Sequence, residues 1–177
     1  MEIKIIRSEN RKRTISGRVD GETLIVNAPA DIPEERLQKI IEKFRKRFEK
    51  RQLKRQLNRT VDLMTICRKL KEQYFFYDQM EVNSIGYSTD QNCRWGVCNS
   101  RNKTILISHR LAEFPNWVRD YVIIHEMAHI LEPNHGKRFW RLVRRYKLSE
   151  RARGYLIAKG YEDADESDVQ NGSTFTG

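Results

Sequence analysis

The sequence predicts an α+β fold, and three observations carry that expectation. Short alternating or β-branched runs occur near the N-terminus and again between about residues 82 and 108. A long stretch after residue 31 places apolar residues at helical spacing. From residue 115 onward one helical pattern follows another.

Ile3 and Ile5 alternate with Lys4, as in a strand with one face covered. Thr14-Ile15 and Arg18-Val19 lead into Asp20-Gly21, where glycine supplies the positive φ that a tight hairpin needs. Thr23–Val26 is the return strand, broken at Ala28-Pro29-Ala30. Asp31-Ile32-Pro33-Glu34-Glu35 reads as a helix start, with a capping Asp, an early Pro and acids in the first turn. Leu37, Ile40, Ile41, Phe44 and Phe48 then recur at helical spacing. This basic helix, Arg36–Arg55, holds ten Lys and Arg against Glu42 and Glu49, a net charge of +8. A break near Asn58-Arg59-Thr60 predicts a second helix to about Phe75, with Leu63, Ile66, Cys67 and Leu70 facing inward.

Three strands follow, around Val82–Tyr87, Trp95–Cys98 and Thr104–Ile107, the last two separated by Asn99-Ser100-Arg101-Asn102. Pro115-Asn116 opens a further helix, with Asn116 as its expected N-cap. It carries Val118, Val122 and Ile123 to about Leu131, where Pro133 stops it. Shorter helices are expected over roughly Gly136–Tyr146 and Glu150–Lys159. The length of 177 residues predicts one domain, 1–160, and an acidic, disordered tail, 161–177.

Composition bounds the function. Lys and Arg number 34 against 24 Asp and Glu, a net charge of +10 that attracts polyanions. Three cysteines, Cys67, Cys93 and Cys98, are too few and too odd for a secreted disulfide scaffold, and buried free thiols are expected. No apolar run approaches the ~20 residues that cross a membrane, and Met1-Glu2-Ile3-Lys4 opens no apolar leader, so a cytoplasmic protein is expected.

The chemistry is concentrated in His125-Glu126-Met127-Ala128-His129. Residues four apart stack on one helix face, so both imidazoles can reach one metal ion while Glu126 stands beside it. A catalytic zinc takes three protein ligands and keeps one position open for water. His135, beyond the Pro133 break, is the candidate third ligand, and three of the four histidines thus fall within eleven residues. His109, alone after a strand, reads as an ordinary polar residue.

Cys93-Arg94-Trp95-Gly96-Val97-Cys98, the strand Thr104–Ser108 with Arg110-Leu111, the HExxH run after Tyr121, and Asn134-His135-Gly136-Lys137-Arg138-Phe139-Trp140 together resemble the YgjP-like metallopeptidase family, which is related to SprT-like zinc proteases. The resemblance implies a zincin-like fold, a small antiparallel sheet packed on the HExxH helix, preceded by the hairpin region and the basic helix. It also implies one zinc per chain held by His125, His129 and His135, with Glu126 catalytic. Val97 stands where that family usually carries Ser. The expected function is a zinc metallopeptidase with a zinc-activated water and Glu126 as general base, acting on peptide or protein. The alternatives are a metal-dependent nucleotide (phosphoanhydride) hydrolase and a nucleic-acid-associated module with structural zinc. Arg94 is a candidate contact to developing negative charge, and Phe139 and Trp95 are candidate supports around the site. The basic helix 36–55 is a candidate nucleic-acid contact, although its aromatics Phe44 and Phe48 lie on the apolar face.

Overall fold

Two three-stranded sheets organise the chain, and both place the third strand of the sequence in the middle. The computed structural model describes residues 2–91 and 93–159; the acidic tail expected at 161–177 lies outside them. The chain falls into two compact units, one reaching Leu53 and the other starting at Lys54.

In the first unit β1 (Glu2–Ser8) pairs parallel with β3 (Thr23–Pro29), and β2 (Ser16–Asp20) pairs antiparallel with it. The β2–β3 hairpin turns at Gly21, with φ 58°, as its sequence requires. β3 lies between two partners and is therefore the strand that buries: Leu24, Val26 and Ala28 pack with Leu37 and Ile41 of α1 (Glu34–Thr60). Pro29 ends β3 rather than breaking it, a position where a missing N–H costs little.

α1 runs through Asn58 and Arg59 because no Gly or Pro interrupts its Lys, Arg, Gln and Leu residues. The break comes at Val61-Asp62. Asp62 accepts from the Thr65 backbone N–H at 3.0 Å and so caps α2 (Leu63–Tyr74). Leu63, Cys67 and Leu70 are buried as expected, and Ile66 is partly so.

The second sheet holds β4 (Ser84–Ser88), β6 (Thr104–Ser108) and β5 (Gly96–Asn99) in that order. The expectation of an antiparallel sheet is corrected here: β5 and β6 are antiparallel, but β4 and β6 are parallel. The reason is topological. The tight β5–β6 turn forces one reversal and the β4–β5 connection another, and β6 inserts between its predecessors, so first and third strands run the same way. A short 3-10 turn, His109–Glu113, leads to α3 (Asn116–Leu131), followed by α4 (Lys137–Val143) and α5 (Ser149–Ala158). Asn116 is the first helical residue and not the cap; Pro115 holds the cap position, extended at ψ 142° and without a side-chain bond. α3 is the centre of this unit, packed against α2, α4, α5, β5 and β6. Val118, Tyr121, Val122, Ile123, Ile124, Met127 and Ala128 are all buried, so the helix is covered nearly all round. No helix among the described residues is long and apolar enough to cross a membrane.

Candidate metal centre

His125 and His129 stand one turn apart on the buried helix α3, ring centroids 5.0 Å apart. The chain leaves α3 at Glu132, turns at Pro133 and returns His135 to the same place. Its ring lies 5.2 Å from His125 and 4.6 Å from His129. One donor nitrogen from each of the three lies within 4.8 Å of the others. The Nε2 atoms of His125 and His135 are 3.2 Å apart. Tetrahedral zinc with N bonds of ~2.0–2.1 Å separates its ligands by about 3.3 Å, so the donor set fits such an ion. His129 Nδ1 donates to the Glu132 carbonyl at 3.3 Å, which leaves its Nε2 for a metal.

Electrostatics prepare the same chemistry. Burial, then the neighbouring imidazoles, pushes the His125 pKa down to about 3, and burial also lowers that of His129. Both rings are therefore neutral at pH 7, the form a metal needs. The His125 value lies below the unfolded one of ~6.5, so the unfolded chain binds the proton more readily and acid favours unfolding. In chelator, stability should fall by up to about 1.4 kcal/mol per pH unit below ~6.5, a loss of roughly 3–5 °C in Tm. Thermal scans from pH 7 to pH 4 check this. His125→Gln should flatten the fall, and an equally steep fall in that variant would reject a buried neutral His125.

Glu126 is buried at 6% exposure and faces β5. A Cβ on Gly96 would sit 2.4 Å from Glu126 Oε1 and 2.7 Å from its Cγ. The glycine of the Arg94-Trp95-Gly96 run thus makes the space that the carboxylate occupies. Cys98, two residues along the strand, is pushed up to about 11 by burial and by the Glu126 charge, so the thiol stays protonated beside the carboxylate. Gly96 was not singled out from sequence; its place inside the resemblance motif was the available signal. Gly96→Ala must displace the Glu126 side chain. Misplacing a reacting group by ~1 Å can cost ~10²-fold in rate, so turnover should drop by about that much while bound metal survives. Wild-type turnover in Gly96→Ala would show that the carboxylate has room to spare.

Phe139, fully buried on α4, touches all three imidazoles, with centroids 4.5 Å from His129, 4.6 Å from His135 and 4.9 Å from His125. From sequence Phe139 is a candidate support around the site; the fold turns its ring into a common wall for all three imidazoles. Trp140 lies 5.9 Å from His135, and the Arg153 guanidinium stands 5.4 Å over the Trp140 ring. Trp95 is buried against Phe114 at 5.3 Å, with the Arg110 guanidinium 4.5 Å over its ring. Arg94 is exposed next to it. His109 lies apart from the imidazole cluster and donates from Nδ1 to the Ser88 carbonyl at 3.3 Å. All three cysteines are free, but the expectation that all are buried is corrected: Cys67 is buried, Cys98 half-buried and Cys93 exposed, in the loop before β5. Burial raises Cys67 to about 11, and its thiol donates to Met127 Sδ at 3.7 Å, behind the HExxH face.

Comparison with curated proteins gives no match. One similar solved structure is the crystal structure of the metallopeptidase zymogen of Pyrococcus abyssi abylysin, at 14% identity and a TM-score of 0.47, covering 55% of this chain and 93% of that one. The family model described as YgjP-like, metallopeptidase domain, matches residues 70–147, a stretch holding β4–β6, α3 and α4. That match supports a metal-dependent hydrolase, and a metallopeptidase family implies a metal, typically zinc. Residues 70–147, the stretch similar to the YgjP-like metallopeptidase domain, hold all three clustered imidazoles and Glu126.

Proposed function

We propose that this protein is a zinc-dependent metallopeptidase of zincin-like fold, with one zinc per chain held by His125, His129 and His135. The observation that carries the reading is the convergence of three imidazoles, two of them lowered in pKa, on the helix that also bears the buried carboxylate of Glu126. Bound there, zinc would supply a Lewis acid that polarises a carbonyl and lowers the pKa of a water toward ~7. Glu126 takes the proton from the attacking water and delivers it to the departing amine nitrogen, so the proton count closes on one side chain. Phe139 holds the three rings in mutual orientation, and Trp95 anchors the segment leading into β5. Arg94, exposed ahead of that strand, is proposed to meet negative charge on a substrate. Free thiols suit a reducing cytoplasm.

A second reading, hydrolysis of a nucleotide phosphoanhydride, draws on the net charge of +10. A structural zinc fits less well. Closed structural sites fill four positions with protein ligands, usually including Cys, and the metal-ligating cluster among the described residues has three members, all His. The deciding experiment incubates zinc-loaded protein with casein, peptides and nucleotides, with Glu126→Gln as control. Casein or peptide cleavage that the control lacks supports the peptidase; Glu126-dependent release of phosphate or pyrophosphate from nucleotides alone replaces it with the second reading.

A further inference from the structure

α1 carries a feature that metal-dependent hydrolysis does not use. Arg36, Lys39, Lys43, Arg47 and Lys50 are spaced three, four, four and three residues apart, which puts all five on one helix face. All five are exposed. At 1.5 Å per residue the stripe is about 21 Å long, with roughly one cation per turn. The acids of this stretch lie elsewhere on the helix: Glu42 pairs with Arg45 at 3.1 Å and Lys46 at 3.7 Å, and Glu49 with Arg45 at 3.7 Å. None of the five stripe residues forms an ion pair among the described residues. The apolar face is occupied separately, by Leu37, Ile41 and Phe44 against β3.

Side chains that neutralise one another make a solvated face. Here the neutralised residues and the unneutralised stripe are segregated, and the stripe is straight, regular and entirely cationic. We propose that this face of α1 binds the phosphodiester backbone of a nucleic-acid duplex without reading its sequence. A duplex presents a phosphate on each strand every ~3.4 Å of axis, so each cation of a 5.4 Å repeat has one within reach. No aromatic side chain stands on the stripe to stack on an unpaired base, which favours backbone contact to a duplex over recognition of single strands. The stripe carries no Asn, Gln, Ser or Thr, and its evenly spaced cations match the phosphate repeat, so affinity rests on counterion release more than on readout.

The test measures binding of the full chain to a fluorescent mixed-sequence DNA duplex of about 30 base pairs as a function of salt, in EDTA. Removing metal separates this proposal from the hydrolase reading, which can fail while duplex binding stands. Five phosphate contacts predict a slope of log K against log salt of about −4.5, and Arg47→Gln with Lys50→Gln should reduce it by nearly two. Lys69→Gln with Arg101→Gln lowers the net charge equally away from the stripe and should leave the slope unchanged. Helicity and Tm of each variant establish that the chain is folded, and Lys50→Arg should bind as wild type does. Equal losses from both double variants would overturn the stripe in favour of net charge alone. Absence of binding at low salt, or equal affinity for poly-glutamate at the same ionic strength, would overturn the duplex as partner.

Discussion

Glu126→Gln should keep its zinc and its fold and lose turnover by roughly 10²–10⁴-fold or more. The amide matches the carboxylate in size, so the side chain still fits the space left by Gly96, and packing around α3 is undisturbed. What the amide lacks is a basic oxygen able to accept a proton at neutral pH and give it back. The measurement pairs zinc content and Tm with hydrolysis of the substrate that the screen yields. Unchanged turnover in a zinc-replete, folded variant would falsify the general-base role. Loss of zinc together with activity would instead make Glu126 a support of the metal site.

His129→Ala should remove zinc and, with it, activity. The proposed site has three ligands, and the Nδ1 bond of His129 to the Glu132 carbonyl leaves its Nε2 for an ion. Elemental analysis should fall from about one zinc per chain to near none after mild chelation. The stabilisation that zinc confers on the folded state should vanish in parallel: at a hundredfold excess over Kd it is about 2.7 kcal/mol for the wild type. His135→Ala should behave the same way, because its Nε2 converges on that of His125. Retention of zinc at wild-type affinity in either variant would take that residue out of the ligand set.

Much of this site was legible in the order of residues. The bounds of α3 follow from Pro115, an apolar run and Pro133, and the pairing of His125 with His129 follows from a helix period of 3.6 residues. Such features are local: backbone hydrogen bonds four residues apart and fixed side-chain angles decide them, and neighbours in sequence suffice. The hairpin at Gly21, the helix start after Asp31 and the inward face of α2 were determined in the same way.

Only the tertiary structure decided what meets across long separations. Gly96 and Glu126 are thirty residues apart, and no periodicity links them; the packing of β5 on α3 does. Phe139 was readable as a candidate support around the site, yet its contact with all three imidazoles depends on how α4 closes against α3. The parallel pairing of β4 with β6 came from strand insertion, not from any pattern within either strand. Cys93 and Cys98 look alike in sequence, but one lies exposed in a loop and the other against a buried carboxylate. The sequence by itself therefore determined the metal-ligand candidates and the helix that bears two of them. The space for the carboxylate, the wall behind the ligands and the direction of the strands were set by burial and pairing, which act between residues that the chain order keeps apart.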